Sequence, residues 1–137
     1  MKIVVEAYDK KFRRLAQIIK KTATKLARFF DLRKRSLEIY LVGNDFMKKN
    51  VLAFPAPKNF PHPDTAYQPL GEIYLNPDYI KKESPYLKIP AKLDYMLVHG
   101  FLHLLGYDHK KKGDTIRMQK KEASLLKKIY AKLYSRS

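Results

Sequence analysis

The chain has 137 residues, which is room for one domain with a hydrophobic core and excludes a large multidomain protein. Its composition is 45% hydrophobic and 31% charged, which excludes a disordered chain, and the lack of cysteine excludes disulfides and thiolate metal sites. The 29 Lys and Arg residues against 13 Asp and Glu give a net charge of +16, which favours a polyanionic partner, nucleic acid above all. A generally basic proteome and an anionic membrane surface are the alternative explanations of this charge.

The N-terminal part of the chain predicts a strand followed by a long amphipathic helix. Residues 2–7 are rich in β-branched side chains, and their apolar run is too short for a secretory signal. Asp9 is a candidate N-cap for a helix that extends to about Asp31. Apolar side chains recur along this helix at spacings of three and four, at Phe12, Leu15, Ile19, Thr22, Leu26 and Phe29. Its other side is either an RNA-binding face or a solvated face and carries Lys10, Lys11, Arg13, Arg14, Lys20, Lys21, Lys25 and Arg28.

The middle of the chain predicts three more strands. Residues 36–43 alternate apolar and polar side chains, which predicts a strand with one buried face. Residues 51–54 form a short apolar run that a proline closes, which predicts an edge strand, and residues 70–75 supply the fourth strand. Between Pro55 and Pro69 lie five of the eight prolines, which predicts an irregular covering loop, and we interpret His62 within it as a surface residue.

The C-terminal third predicts two helices. The first spans about Lys88 to Leu105 and ends at Gly106, and its second half is apolar on every side, which indicates a central, buried helix. The second spans about Asp114 to Tyr134, with Asp114 as its candidate cap. Its predicted core stripe consists of Ile116, Ala123, Leu126, Tyr130 and Leu133.

These elements predict a single α+β domain over residues 1–137, in which a mixed sheet is flanked by helices. The longest uncharged stretch, residues 95–107, has 13 residues. A membrane-spanning helix needs about 20 apolar residues, so we expect no membrane span and a cytoplasmic protein.

Three of the four histidines fall within the eleven residues 99–109. His99 and His103 are four apart, so on a helix their rings lie above each other on one face. Gly106 can end the helix and turn the chain back, which brings His109 towards the other two. Three neutral imidazoles with an open fourth position for water are the pattern of a catalytic zinc site. The alternative, hydrogen-bonded core histidines, is disfavoured because unshared histidines are costly to bury in an apolar helix.

The spacing of these histidines and the glycine matches the zinc signature of metzincin peptidases, H-E-x-x-H-x-x-G-x-x-H. Those peptidases use the glutamate as a base, and this chain has Gly100 in its place, which transfers no proton. A peptidase function would therefore lack the general base that its mechanism needs. A basic surface together with an open metal position suits phosphodiester hydrolysis instead.

Three segments occur in an order and position typical of one family. HGFLHLLGYDH at 99–109 resembles the signature H-G-x-L-H-L-x-G-Y-D-H, NVLAFP at 50–55 is similar to T-[ND]-V-L-S-F-P, and LGEIYLN at 70–76 is similar to L-G-D-I-x-I. These are motifs of the YbeY family of bacterial endoribonucleases and ribosomal RNA maturation factors. The resemblance spans the chain from roughly Ile39 to the last helix.

The resemblance implies one zinc ion per chain on His99, His103 and His109, which act in catalysis through zinc-bound water, and a mixed four-stranded sheet packed with helices. It implies a role in 3′-end maturation of 16S ribosomal RNA and in quality control of the small ribosomal subunit. Asp108 is a candidate to orient a zinc ligand. A small-subunit protein is a candidate partner besides RNA, and a membrane is not expected. The candidate RNA contacts are Lys48, Lys49, Lys10, Arg13, Arg14 and Lys21.

One segment departs from the family pattern. Members usually carry an arginine in a Y-R-x-K-D-like stretch before the T-[ND]-V-L-S-F-P strand, and here residues 44–49 read NDFMKK. Lys48 and Lys49 are candidates to bind a phosphate as point charges, but neither offers the bidentate fork of a guanidinium. The first hypothesis is a zinc-dependent endoribonuclease for single-stranded RNA. The alternatives are a non-catalytic RNA-binding assembly factor with a structural zinc and, for want of a base the weakest, a metallopeptidase.

Overall fold

The computed structural model describes residues 1–57, 67–86, 88–108 and 110–134, with side chains described as far as residue 130. The strands are β1 (Lys2–Ala7), β2 (Arg35–Leu41), β3 (Val51–Pro55) and β4 (Gln68–Leu75). The helices are α1 (Arg13–Ala27), α2 (Pro77–Glu83), α3 (Ile89–Leu104) and α4 (Lys112–Tyr134). The predicted α+β class and the four predicted strands are confirmed. His62, most of the predicted covering loop, and His109 lie outside the described residues.

The four strands form one mixed sheet in the order β1-β2-β4-β3. β1, β2 and β4 run parallel to one another, and β3 runs antiparallel to β4. The predicted edge position of β3 and the predicted mixed sheet are confirmed. The apolar side chains of β2, which are Leu37, Ile39 and Leu41, are buried beneath the helices. Among the described strands β3 pairs only with β4, so the other edge of β3 is free to border a groove.

β4 has an irregularity at Gly71, where its pairing with β2 shifts by one residue. Gly71 has a φ of 151°, which residues with a side chain rarely adopt. A Cβ at this position would lie 2.4 Å from the carbonyl oxygen of Phe54 and 2.8 Å from Cδ2 of Leu104. The glycine therefore allows β3, β4 and the end of α3 to meet closely.

α1 is amphipathic as predicted, but it is shorter than expected. Asp9 caps a 3-10 turn (Lys10–Phe12) that leads into α1, since its side chain accepts a hydrogen bond from the backbone N–H of Lys11 at 3.0 Å. The helix ends at Ala27 and not near Asp31, because the following residues form three-residue turns, and Phe29 is 37% exposed as a result. The buried members of the predicted stripe are Phe12, Ile19, Thr22 and Leu26.

A short helix that the sequence analysis missed, α2, follows β4. The fully buried Asn76 caps it by accepting a hydrogen bond from the backbone N–H of Tyr79 at 3.1 Å, and Pro77 is its first residue. The amide of Asn76 also donates to Oδ1 of Asn44 at 2.9 Å and to the carbonyl oxygen of Met47 at 2.8 Å. One buried side chain thus ties α2 to the turn that leads into β3.

α3 is the central, buried helix that the sequence predicts. It packs against β3 and β4, and α1, α2 and α4 all contact it. None of the described helices is long and apolar enough to cross a membrane.

The predicted core stripe of α4 is wrong at Ile116 and Ala123, whereas the partly buried Leu126 packs against the core and Tyr130 is partly buried. Ile116 and Ala123 are exposed, and the helix begins at Lys112, so Asp114 lies in its first turn and does not cap it. Leu133 lies beyond the described side chains. The stripe of α4 that is buried in the structure includes a carboxylate. A search for apolar side chains therefore selects the adjacent stripe of the helix instead. Its buried members are Met118, Glu122, Leu125 and Ile129.

Candidate functional site

A groove of about 610 Å³ lies between the edge strand β3 and the C-terminal end of α3. Val51 and Ala53 line it from β3, and His99 and His103 line it from α3. Two of the three predicted metal ligands therefore face one open groove, beside a strand edge that pairs with no described strand.

The rings of His99 and His103 converge. Their Nε2 atoms are 3.1 Å apart, and their ring centroids are 4.6 Å apart. Two nitrogens that share a tetrahedral zinc ion, each at about 2.05 Å, stand about 3.3 Å from each other. The separation of the two Nε2 atoms thus suits two ligands of one zinc ion.

A buried carboxylate that the sequence analysis missed supports His99. Oε1 of Glu122 lies 3.3 Å from Nδ1 of His99, and the Glu122 side chain is only 4% exposed. A hydrogen bond from Nδ1–H to this carboxylate leaves Nε2 unprotonated, which is the form of the ring that binds a metal. A sequence signal for Glu122 exists, because it is a lone acid on the buried stripe of α4 between Met118 and Leu125.

Gly106 sets the end of α3. It has a φ of 97°, and the N–H groups of Gly106 and Tyr107 donate to the carbonyl oxygens of His103 and Leu102, both at 3.0 Å. These two bonds form a Schellman cap, which a residue of positive φ closes. The chain therefore turns back directly after the two described histidines.

His109, the third residue of the histidine motif, lies outside the described residues. Within the part of the chain that the structure describes, no three His, Cys, Asp or Glu side chains are grouped so as to hold a metal ion. The predicted role of His109 as the third zinc ligand stays a prediction.

Gly100 is buried where α3 crosses the strands. A Cβ at this position would lie 3.2 Å from Cγ2 of Ile73 and 3.3 Å from Cγ2 of Val51. The glycine lets α3 approach the sheet closely, which brings both histidines to the edge of β3. The residue that stands in place of the peptidase glutamate therefore has a packing role.

Asp108 and Lys110 line the same groove as the histidines. Asp108 accepts a hydrogen bond from the backbone N–H of Lys110 at 2.6 Å, and its Oδ2 lies 3.9 Å from the Lys110 ammonium. Among the described contacts, the carboxylate that supports a histidine is Glu122. The role of Asp108 towards a zinc ligand stays a prediction.

The predicted RNA-binding residues divide between two places. Lys48 and Lys49 are exposed in the turn before β3, next to Asn50, which lines the groove. α1 packs on β1, at the opposite edge of the sheet from β3. Lys110 is a groove-lining cation that the sequence analysis missed. Lys10 in the 3-10 turn and Arg13, Arg14 and Lys21 on α1 are exposed and are not among the described residues that line the groove.

The fold and the groove define an α+β protein with a histidine pair beside its edge strand. The chain matches the family model described as endoribonuclease YbeY over residues 3–130. The chain therefore belongs to the YbeY family.

Individual relatives agree with this assignment. The endoribonuclease YbeY of Wolbachia sp. subsp. Drosophila simulans (strain wRi) is 46% identical over 79 residues, which cover 56% of this chain and 49% of the relative. The endoribonuclease YbeY of Syntrophus aciditrophicus (strain SB) is 27% identical over 144 residues, which cover 91% of this chain and 88% of the relative. The chain spans about half the length of several curated relatives that it matches.

A solved structure supports the fold. The solution structure of a protein from Thermotoga maritima matches with a TM-score of 0.63 at 21% identity, and the match covers 98% of this chain and 93% of that protein. This likeness concerns the fold alone.

Proposed function

We propose that this chain is a zinc-dependent endoribonuclease that cleaves single-stranded RNA, with His99, His103 and His109 as its zinc ligands. The observation that carries the proposal is the convergence of two Nε2 atoms, 3.1 Å apart, on the wall of an open groove. Family membership supports RNA cleavage, because the curated relatives are named endoribonuclease YbeY. The proposed setting is the cytoplasm, in 3′-end maturation of 16S ribosomal RNA and quality control of the small subunit.

The residues around the histidine pair suit a zinc ion. Oε2 of Glu122 is buried and has no hydrogen-bond partner among the described residues. A buried carboxylate oxygen without a partner is costly unless positive charge lies close to it. Imidazole ligands with an open position are the donor set of catalytic zinc sites. When bound, zinc supplies a Lewis acid and activates water for attack on a phosphodiester.

The chain's own residues would bind and orient the RNA. The free edge of β3 presents backbone N–H and C=O groups to the groove. Lys110 within the groove, and Lys48 and Lys49 next to it, attract phosphates as point charges. Because Gly100 has no side chain, no carboxylate base stands beside His99 at that position, and the proton released in hydrolysis passes to a phosphate oxygen of the RNA or to solvent.

The alternative is a non-catalytic RNA-binding assembly factor with a structural zinc. The lack of an arginine in residues 44–49 favours it, because a lysine offers no bidentate fork to a phosphate. The open groove beside the histidines speaks against it, because structural zinc sites are closed by four protein ligands. Cleavage of single-stranded RNA by the zinc-loaded protein and its His103 variant separates the two functions.

Replacing Glu122 by glutamine is expected to weaken zinc binding by about 10- to 100-fold. Glutamine keeps the size of the side chain but removes the negative charge that faces Nδ1–H of His99. The measurement is competition for zinc with a chromophoric chelator. The matched control is Glu6→Gln, which makes the same change on β1 at the opposite edge of the sheet and is expected to leave zinc affinity nearly unchanged. Asp108→Asn tests the predicted role of Asp108, and a larger loss there than in Glu122→Gln would assign the support of the zinc ligands to Asp108.

RNA affinity is expected to fall steeply with salt, with a logarithmic slope of about −0.7 for each phosphate that the protein neutralises. Lys110→Ala should weaken binding of a strand only a few nucleotides long, because Lys110 lies in the groove. Arg14→Ala, on α1, should weaken binding only of longer strands that reach the opposite edge of the sheet. Fluorescence anisotropy over a salt series measures both. A flat salt response would contradict a phosphate-binding role for the charge of +16.

A further inference from the structure

The face of the sheet that points away from the helices is covered by none of the described helices. α3 packs on the other face, together with the three helices that contact it. On the uncovered face, Glu38 and Tyr40 alternate with the buried side chains of β2, and Glu72 and Tyr74 alternate with those of β4. We call this surface the outer sheet face.

Five aromatic rings pack together on the outer sheet face. Tyr40 and Tyr74 are stacked with ring centroids 5.0 Å apart, and Phe46 is stacked on Tyr74 at 5.5 Å. Tyr8 packs at an angle against Tyr40 and Phe46, and Phe54 packs edge-on against Tyr74. Tyr8, Phe46 and Phe54 are 55%, 53% and 50% exposed. A contiguous aromatic patch that remains this exposed is typical of a binding surface.

Carboxylates hold the two central tyrosines. The hydroxyl of Tyr40 donates to Glu38 at 2.7 Å, and the hydroxyl of Tyr74 donates to Glu72 at 2.9 Å. The hydrogen bond to Glu38 raises the pKa of Tyr40, and burial raises the pKa of Tyr74 to about 12, so both phenols stay neutral donors. Glu38 and Glu72 are cross-strand partners, and Glu6 lies opposite Tyr40 two residues further along the strands.

The acidity continues past the ends of the strands. A groove of about 530 Å³ there is lined by Tyr8 and Phe46 of the ring cluster and by three aspartates. Lys11 in this groove is paired with Asp78 at 2.8 Å, and Lys2 lies at the other end of β1. The chain as a whole has a net charge of +16, whereas this surface is rich in acidic residues. Six of the 13 acidic residues border it: Glu6, Asp9, Glu38, Asp45, Glu72 and Asp78.

We propose that the outer sheet face binds an arginine-rich, extended segment of a partner protein. A guanidinium is planar, stacks on aromatic rings and presents a fork that matches a carboxylate, so rings beside carboxylates favour arginine. Residues of one face repeat about every 6.6 Å along a strand, which matches alternate side chains of an extended peptide. RNA is disfavoured, because the carboxylates repel phosphates and surfaces that stack single strands are cationic. The proposal is independent of the histidine groove, which lies at the edge of the sheet.

The test is binding of a fluorescently labelled octapeptide of alternating arginine and glycine, measured by anisotropy. The double variant Glu38→Gln/Glu72→Gln should bind it at least about tenfold more weakly, because charge-assisted pairs are lost while the acceptors for both tyrosines remain. Phe46→Ala should also weaken binding, and the melting temperature checks that each variant is folded. The matched control, Asp31→Asn/Asp114→Asn, removes the same charge elsewhere and should bind as the unaltered protein does.

Three results would overturn the proposal. An octapeptide of alternating lysine and glycine that binds equally well would show that the outer sheet face recognises positive charge and not the guanidinium group. Loss of RNA affinity in Phe46→Ala would place RNA on this face. A dimer in light scattering that Glu38→Gln/Glu72→Gln abolishes would show that a second copy of the chain occupies it. RNA cleavage unchanged in the double variant is the expected result.

Discussion

Replacement of His103 by alanine is expected to lower zinc-dependent cleavage of single-stranded RNA by at least about 10³-fold, because a metal Lewis acid contributes several kcal/mol to the transition state. Nε2 of His103 lies 3.1 Å from Nε2 of His99, so the substitution removes one of the two converging nitrogens. Zinc content, which we expect to be about one ion per chain in the unaltered protein, should fall as well. Gel analysis of a labelled RNA and metal analysis of the same preparations measure both effects.

The matched control for His103→Ala is Lys92→Ala, on the same helix but outside the described residues that line the groove. It should cleave RNA at the unaltered rate, and circular dichroism checks that both variants are folded. Cleavage by His103→Ala at the unaltered rate would contradict a zinc-dependent enzyme. If the unaltered, zinc-loaded protein binds RNA and does not cleave it, the assembly-factor alternative is favoured.

Gly71→Ala is expected to lower the free energy of unfolding by about 3 kcal/mol or more, because backbone strain and overpacking each cost about 1–3 kcal/mol. The new Cβ would stand 2.4 Å from a backbone oxygen of β3, at a φ of 151°. For a chain of this length the melting temperature should fall by roughly 10 °C or more. Calorimetry at one pH and salt concentration measures the change.

Gly106→Ala separates the two causes of this loss. Gly106 also has a positive φ, 97°, but, its chain neighbours aside, no atom of the described residues lies within 4 Å of its Cβ position. Its substitution is therefore expected to cost only the conformational part, about 1–2 kcal/mol. Equal losses in the two variants would show that the close approach of β3 to Gly71 is not the cause.

Features set by local geometry were predictable from the sequence. Alternation of apolar and polar side chains predicted β2, and Pro55 predicted the edge position of β3, because both signals act within a few residues. The spacing of four between His99 and His103 predicted that their rings lie on one face, because helix geometry alone fixes it. The rings meet with 3.1 Å between their Nε2 atoms.

Features decided by tertiary packing were not predictable in this way. α2 has seven residues, too few for a helical period, and its signal is only the cap Asn76 before Pro77. Glu122 is a buried acid, and a search for apolar stripes selects against such a residue. The distance between the cations of α1 and the groove depends on strand order, since β1 and β3 form opposite edges of the sheet, and the sequence does not state that order.

Gly100 links any gain of the peptidase base to the packing of the sheet. A glutamate there would begin from a Cβ 3.2 Å from Cγ2 of Ile73 and 3.3 Å from Cγ2 of Val51, so these two side chains would have to give way by a few tenths of an ångström. A lineage that acquired the base would therefore have to adjust the helix–sheet contact as well as the catalytic position.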